Sequence, residues 1–154
     1  MIDDWARRHA LDRHNRFKAR VVTCHDGETG ALVGLYSLTL VLEQVREMKR
    51  AHDVTRWATN GVFPALQLEY LGVCERHKRL GIGSFLTMDA VTTFSRLAET
   101  TGVPVLTLQP LNADLVPYYR DRNFLPYGRG GGMMMLAETA IRLRDGTFDA
   151  PPNG

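Results

Sequence analysis

Residues 78–84 (KRLGIGS) combine glycines with positive charges at a spacing suited to binding an anion. Gly81 and Gly83 let the main chain approach a ligand closely and aim several N–H groups outward. The segment lies between a predicted strand and a predicted long helix, whose N-terminus adds a partial positive charge. Lys78 and Arg79 add full charges, so the segment predicts a pyrophosphate site. The G-x-G spacing alone would indicate only a tight turn between a strand and a helix.

Two common nucleotide-binding motifs do not fit this segment. Leu86 occupies the position of the third glycine in G-x-G-x-x-G, which disfavours a dinucleotide site of the Rossmann type. The pattern G-K-[ST] of a P-loop does not occur in residues 78–84 either. A phosphate bound here would therefore be held by a different kind of turn.

A second group of residues lies one predicted strand later in the chain. Asn112 precedes Tyr119 by seven positions, and Asn123 and Phe124 follow. An Asn just after a strand can hold a ligand amide or cap a helix. A Tyr on the next helix can donate a proton or belong to the core. The residues alone leave these alternatives open.

Taken together, residues 64–124 resemble the GNAT superfamily of acetyl-CoA-dependent N-acetyltransferases. The superfamily motif Q/R-x-x-G-x-G/A matches residues 78–83, with Lys78 in the place of Gln or Arg. The pattern N-x-x-x-x-x-x-Y-x-x-x-G-F matches residues 112–124, with Asn123 in the place of Gly. The resemblance implies an α/β fold of the GNAT type and acetyl-CoA as the co-substrate.

The resemblance also implies roles for individual residues. Leu71 and Val73 would pair with the pantetheine arm, and the main-chain amide of Val73 would stabilise the oxyanion. Tyr119 would protonate the departing CoA thiolate. No general base is evident, but Glu69 shares the strand face of Leu71 and Val73 and would be a substrate-positioning or structural residue. The implied cofactor-binding residues are Leu71, Val73, Lys78, Arg79, Gly81, Ile82, Gly83, Ser84 and Asn112.

A narrower resemblance involves residues 4–10 (DWARRHA) and 33–38 (VGLYSL). These segments are similar to the GNAT toxins of toxin–antitoxin systems, which acetylate the amino group of aminoacyl-tRNA and so block translation. The resemblance implies an aminoacyl-tRNA substrate and a cognate antitoxin, and GNAT proteins are frequently homodimers. Four arginines of the N-terminal helix are candidate contacts to a polyanion, with a solvated helix face as the alternative. They are Arg7, Arg8, Arg13 and Arg16.

Three functions therefore remain open at the level of sequence. The first is an aminoacyl-tRNA N-acetyltransferase toxin, and the second is a GNAT enzyme that acetylates a small-molecule or protein amine. The third is a non-catalytic module that binds acyl-CoA or nucleic acid. Tyr119 and the intact glycine turn of residues 78–84 argue against the third.

Composition limits the class of protein and its compartment. The chain has 154 residues, 44% of them hydrophobic and 23% charged, with a net charge of +2, which predicts one domain spanning residues 1–154. Two cysteines are too few for a disulfide framework, and they lack a recognised Cys/His spacing for zinc, so we expect no metal. The uncharged run of residues 31–42 is too short to span a bilayer, and the N-terminus lacks the apolar segment of a signal peptide. We therefore expect a cytoplasmic protein with no membrane contact.

The pattern along the chain predicts the elements that position these residues. The central strands and helices alternate, which favours a mixed sheet flanked by helices on both faces. Residues 43–52 read as a charged amphipathic helix and residues 53–63 as a loop. Predicted helices cover residues up to 15, 43–52, 83–100 and 113–122, and predicted strands cover 20–24, 31–40, 65–74, 103–109, a segment from 124, and 133–136.

Overall fold

The computed structural model describes residues 2–44, 55–128 and 130–146. The chain divides into two compact units, Met1–Val41 with Leu66–Ala90 and Leu42–Ala65 with Val91–Gly154. Six strands form one mixed sheet in the order β1-β2-β3-β4-β6-β5. The predicted α/β class is confirmed, whereas the single domain stays a prediction.

The first unit begins with an irregular helix and a hairpin. Helix α1 (residues 2–15) has α-helical turns at Ile2–Trp5 and Leu11–Asn15, with a π-helical segment, Ala6–Ala10, between them. Strand β1 (Arg20–His25) pairs antiparallel with β2 (Leu32–Gln44), and the register shifts between Cys24 and His25. The predicted hairpin is therefore confirmed.

Strand β2 is longer than predicted, and the helix expected at 43–52 is wrong where it can be checked. Glu43 and Gln44 belong to β2, while residues 45–52 lie outside the described part of the chain. From residue 39 to 44 the exposure of side chains alternates, which is the period of a strand. The hydroxyl of Tyr127, a residue of another strand of the sheet, donates a hydrogen bond of 2.8 Å to the Glu43 carboxylate. Contacts with the rest of the sheet therefore outweigh the helical propensity of the residues in this charged segment.

Strand β3 (Val62–Val73) starts before residue 65, where the strand was predicted to begin, so the loop predicted for residues 53–63 ends earlier than expected. The main chain reverses at Asn60 and Gly61, whose φ angles are 54° and 77°. Pro64 therefore lies within the strand and does not open it. A short 3-10 turn, Thr55–Trp57, precedes the reversal. Helix α2 (Ile82–Thr101) follows β3 as predicted and ends at Gly102, whose φ is 76°.

The second unit holds the remaining strands. Strand β4 (Val105–Leu108) pairs antiparallel with β6 (Gly132–Leu136), and β6 pairs antiparallel with β5 (Leu125–Tyr127). The three consecutive methionines of β6 are almost fully buried, and Val105 and Leu106 of β4 are fully buried. These strands supply much of the apolar core of this unit.

Two helices complete the second unit. Helix α3 (Leu115–Arg120) follows β4, and helix α4 (Ala137–Asp145) follows β6. Arg144 of α4 binds both carboxylate oxygens of Glu99 on α2, at 2.6 and 2.9 Å. This bidentate pair raises the pKa of Arg144 and lowers that of Glu99. None of the helices in the described residues is long and apolar enough to cross a membrane.

Candidate functional site

The segment between β3 and α2 contains two residues with positive φ angles. A 3-10 turn, Glu75–His77, leads into Lys78, which is extended, and Arg79 then adopts a φ of 65°. Gly81 has a φ of 81°, and α2 begins at the next residue. A positive φ is uncommon for a residue other than glycine, so the surrounding fold imposes this path at Arg79. Left-handed residues just before a helix turn successive N–H groups toward one side, which makes a concave anion site.

The side chains of this segment are exposed and partly paired. The Lys78 ammonium lies 2.5 Å from the Glu75 carboxylate, and these side chains are 56% and 81% exposed. Arg76 and Arg79 are also exposed. A Cβ atom on Gly81 would meet no atom within 4 Å, so glycine is needed here for its φ and not for space.

The end of β3 is fixed by close packing at Gly34, which the sequence reasoning missed. A Cβ atom on Gly34 would lie 2.8 Å from Leu86 of α2 and 3.0 Å from the main-chain oxygen of Gly72. Cys74 anchors the same place, because its N–H donates to the oxygen of Val33 at 2.8 Å. A glycine inside a strand is the signal that could have identified this close approach.

Leu71 and Val73, the residues expected to pair with pantetheine, are half-buried at the end of β3. Both lie in the first unit, as do residues 78–84. Asn112 and Tyr119 lie in the second unit. The roles implied for all of these residues remain predictions.

Glu69 and Arg13, both predicted as substrate-binding residues, contact each other. A terminal nitrogen of the Arg13 guanidinium donates to Glu69 Oε1 at 2.6 Å, and Ser37 Oγ donates to Oε2 at 3.3 Å. The Arg13 and Glu69 side chains are 30% and 29% exposed. Both carboxylate oxygens of Glu69 are therefore engaged by residues of α1 and β2.

A second contact holds α1 against β3. The rings of Trp5 and Tyr70 are stacked, with centroids 4.6 Å apart and planes 3° from parallel. In a regular α-helix, residues eight positions apart lie about 80° apart around the axis. A π-helical turn takes up roughly one extra residue, which brings such a pair to within about 20°. The segment Ala6–Ala10 thus lets both Trp5 and Arg13 contact β3.

Of the other candidate arginines, Arg8 on α1 and Arg16, which immediately follows α1, are paired with carboxylates of the helix. Arg8 lies 2.9 Å from Asp4, and Arg16 lies 2.6 Å from Asp12. Both pairs are four residues apart and more than half exposed. Arg7 is exposed. The predicted basic stripe therefore carries less free charge than the count of its arginines suggests.

Tyr119 lies on α3 and is only 8% exposed. Its ring makes edge contacts with Tyr118 and Phe124, at centroid distances of 5.0 and 5.6 Å. Burial raises the pKa of Tyr119 above its ordinary value; Tyr118 adds to the rise and Arg122 opposes it. The shift favours the protonated hydroxyl and makes it a weaker acid than an exposed tyrosine.

Asn112 begins the turn that leads into α3. Its Oδ1 accepts a hydrogen bond from the N–H of Asp114 at 3.1 Å, and its main-chain oxygen accepts one from Leu115 at 3.2 Å. This is an Asx turn ahead of the helix; the N-cap residue of α3 is Asp114, which makes no side-chain capping hydrogen bond, so Asn112 does not cap the helix. Asn123 adopts a φ of 67° after the helix, which suits an Asn in the position of a glycine.

No group of three or more His, Cys, Asp and Glu side chains that could hold a metal occurs among residues 2–44, 55–128 and 130–146. Cys24 and Cys74 are not joined in a disulfide. The Cys74 thiol lies 3.2 Å from the main-chain oxygen of Leu32, which is a structural contact at the end of β3.

The chain matches known proteins by its structure and not by its sequence. No protein-family model and no curated protein matches the sequence. AtaT complexed with acetyl-methionyl-tRNAfMet superposes with a TM-score of 0.81 at 14% identity, over 92% of this chain and 85% of that chain. The chain has the fold of the GNAT toxins. The fold implied by the sequence resemblance is thereby confirmed.

Two further solved structures have the same fold. A point mutant of KacT matches with a TM-score of 0.82 at 16% identity, over 92% of this chain and 84% of that chain. A mutant of AtaT bound to the C-terminus of the antitoxin AtaR and acetyl-CoA matches with a TM-score of 0.75 at 14% identity, over 94% of this chain and 83% of that chain. The shared fold therefore extends over most of each chain.

Proposed function

We propose that this chain is an acetyl-CoA-dependent N-acetyltransferase that acetylates the amino group of aminoacyl-tRNA. The observation that carries the proposal is the turn before α2, where Arg79 and Gly81 adopt positive φ at the position of the GNAT motif. The fold supports it, because AtaT has been solved with acetyl-methionyl-tRNAfMet and, bound to its antitoxin, with acetyl-CoA.

The turn suits the pyrophosphate of acetyl-CoA. The Lys78 N–H, expected as one of the donors, donates to the main-chain oxygen of Glu75 at 3.3 Å, so the main-chain N–H groups that follow it, up to Ser84, would supply the donors. The 20-residue helix α2 adds the partial positive charge of its N-terminus. Leu80 and Phe85 are 68% and 63% exposed beside these donors, so apolar surface is available for the rest of the co-substrate. Leu71 and Val73 would hold the pantetheine arm through main-chain hydrogen bonds, and the side-chain amide of Asn112 would contact it.

In the proposed reaction, the neutral amine of the acceptor attacks the carbonyl carbon of the thioester. A C–N bond forms and the C–S bond breaks. The Val73 N–H donates to the carbonyl oxygen while it carries negative charge. The Tyr119 hydroxyl gives its proton to the leaving sulfur and regains one from solvent, and the nitrogen loses its surplus proton to solvent.

We propose that α1 takes part in binding the tRNA that carries the acceptor amine. Arg7, Arg8 and Arg16 are exposed and can reach phosphates of a tRNA, whereas Arg13 is engaged by Glu69. A cognate antitoxin and a homodimer are part of the same proposal. AtaT has been solved with AtaR, and a KacTA complex has been solved with DNA.

One observation favours a second candidate function, acetylation of a small-molecule or protein amine. Three of the four arginines of α1 have carboxylate partners, namely Asp4, Asp12 and Glu69. Such pairing reduces the charge available to a polyanion and would matter less for a small acceptor.

The proposal is tested in two steps with the purified protein. Calorimetry measures acetyl-CoA binding, and thiol release measures turnover with aminoacyl-tRNA, with a panel of free amines, and with a lysine peptide. We expect binding, and turnover that is fastest with aminoacyl-tRNA. Turnover with free amines alone would select the second candidate, and binding without turnover on any acceptor would leave only the non-catalytic module.

A further inference from the structure

Arg122, just after helix α3, holds its guanidinium against a tyrosine ring. The guanidinium carbon lies 3.6 Å from the centroid of the Tyr118 ring. One terminal nitrogen, Nη1, also donates a hydrogen bond of 2.8 Å to the main-chain oxygen of Tyr118. A cation over an aromatic face is attracted by the partial negative charge of that face. Two contacts with one residue therefore fix the position of this positive charge.

The main chain turns sharply at the same place. The main-chain oxygen of Tyr119 accepts hydrogen bonds from the N–H groups of Arg122 and Phe124, at 3.0 and 3.1 Å. Asn123, with a φ of 67°, lets the chain bend back far enough for the second of these bonds. The Phe124 ring then meets the Tyr119 ring at its edge. The turn thus fixes Tyr119 and Arg122 together, within the second unit.

The spacing of these residues brings the positive charge to the buried tyrosine. Arg122 follows Tyr118 by four positions and Tyr119 by three, and residues three or four apart are neighbours on a helical turn. Burial raises the pKa of Tyr119 and Tyr118 adds to the rise, whereas the charge of Arg122 lowers it. Among the residues that the structure describes, Tyr118 and Arg122 are the titratable groups that act on the Tyr119 hydroxyl. Of the two, Arg122 is the one that favours loss of the proton.

We propose that Arg122 is a positioning residue for Tyr119 and stabilises the tyrosinate that forms when Tyr119 gives up its proton. This inference rests on the proposed function, in which Tyr119 protonates the CoA thiolate. In that step the O–H bond of Tyr119 breaks and an S–H bond forms. The tyrosine oxygen keeps the electron pair and a negative charge until solvent returns a proton. Burial leaves that charge poorly solvated, and the guanidinium over Tyr118 offsets part of this cost.

The first test asks whether Arg122 acts through the Tyr119 hydroxyl. Arg122→Gln should lower turnover about 3- to 30-fold and leave acetyl-CoA affinity unchanged. In a chain that already carries Tyr119→Phe, the same substitution should have no further effect, because the hydroxyl on which it acts is gone. An equal fall in both backgrounds would overturn the proposal, since Arg122 would then only support the fold.

Matched variants separate the charge of Arg122 from its packing. Arg122→Lys keeps the positive charge and should retain turnover within about 3-fold of the unchanged chain. Arg120→Gln removes an exposed arginine of α3 and should have no effect. Equal losses for Arg122→Lys and Arg122→Gln would contradict the proposal, because the shape of the side chain and not its charge would then matter. A loss in Arg120→Gln as large as that in Arg122→Gln would contradict it as well.

A titration without any acceptor keeps the test of Arg122 separate from that of the proposed function. The ultraviolet absorbance of tyrosinate is followed from neutral to alkaline pH, and subtracting the same protein with Tyr119→Phe isolates Tyr119. Loss of the positive charge raises the pKa of Tyr119, so its titration should move upward by about 0.5–1 in pH for Arg122→Gln and stay in place for Arg122→Lys.

The two ways of failing are then distinguishable. A titration that does not move in Arg122→Gln would overturn the role of Arg122, whatever the turnover of the protein. A titration that moves, together with full turnover of Tyr119→Phe, would overturn the proposed role of Tyr119 as the acid, and the role of Arg122 with it.

Discussion

Two cationic segments of the first unit, the turn of residues 75–84 and helix α1, differ in how they could hold an anion. In the turn, positive φ angles at Arg79 and Gly81 set the direction of main-chain N–H groups. In α1, the positive groups are guanidinium side chains, and three of the four have a carboxylate partner. Main-chain donors keep the direction that the backbone gives them, whereas side-chain charges are satisfied by the nearest carboxylate. The number of arginines thus overstates the positive charge that this part of the chain offers to an anion.

The same contrast suggests that the turn and α1 have different roles. The turn would supply affinity for acetyl-CoA, while α1 would be fixed mainly by its contacts with β3. The Trp5–Tyr70 stack and the Arg13–Glu69 pair are two such contacts. Variants at Tyr119, in the turn and in α1 should therefore have different effects.

The largest effect is expected for Tyr119→Phe, which leaves both cationic segments intact. If Tyr119 protonates the thiolate, turnover should fall by roughly 10²- to 10⁴-fold, while acetyl-CoA affinity changes little. Steady-state kinetics and calorimetry on the same preparation measure the two quantities. Near-normal turnover would mean that water protonates the sulfur and that Tyr119 only packs against Tyr118 and Phe124.

A second test compares two glycines with similar backbone geometry. Gly81→Val places a branched side chain at a φ of 81° in the turn, and Gly30→Val does the same at 71° in the β1–β2 hairpin. Neither Cβ would meet an atom within 4 Å, so both variants suffer backbone strain and not overlap. Strain of about 1–3 kcal/mol should move the turn and weaken acetyl-CoA binding about 10-fold or more for Gly81→Val. Equal affinities of the two variants would remove the turn from the co-substrate site.

A third test concerns the anchoring of α1. Arg13→Ala breaks a half-buried ion pair and should lower the free energy of unfolding by about 1–2 kcal/mol, after allowance for solvent screening. Arg16→Ala breaks an exposed pair and should change it by less than about 0.5 kcal/mol. Urea denaturation of both variants gives the comparison. Equal stabilities would show that the Arg13–Glu69 pair does not fix the helix.

The smallest effect is expected in the salt dependence of tRNA binding. Each lost phosphate contact should flatten the slope of log affinity against log salt by about 0.7. Arg7→Ala should show this change if Arg7 contacts phosphate, whereas Arg13→Ala should not, because Glu69 engages its guanidinium. Filter binding at several salt concentrations measures the slopes. A flatter slope for Arg13→Ala than for Arg7→Ala would reverse the assignment of roles within α1.

The sequence predicted the elements whose signals are local. Glycine positions and apolar periodicity were enough for the β1–β2 hairpin, for the turn before α2, and for α2 itself. Asn123 stands where the GNAT pattern has glycine, and this difference could be explained from the sequence because Asn tolerates a positive φ such as the 67° that it adopts.

The features that were missed depend on residues far apart in the chain. Arg13 and Glu69 are separated by 56 positions, so no local pattern indicates that they pair. The extension of β2 through Gln44 and the π-helical segment Ala6–Ala10 are set by contacts with other elements. Whether Asn112 and Tyr119 contact a bound co-substrate also depends on residues far apart in the chain, so these contacts stay a prediction.

The central claim is that the protein transfers acetyl groups to aminoacyl-tRNA, and one measurement tests it directly. The protein is incubated with radiolabelled acetyl-CoA and with tRNA that is either aminoacylated or uncharged, and the tRNA is then isolated. The account predicts label only on aminoacylated tRNA, released as an N-acetyl amino acid when the ester is hydrolysed, and 10²- to 10⁴-fold slower labelling with Tyr119→Phe. Label on uncharged tRNA, or none on aminoacylated tRNA while a free amine is acetylated, would contradict it.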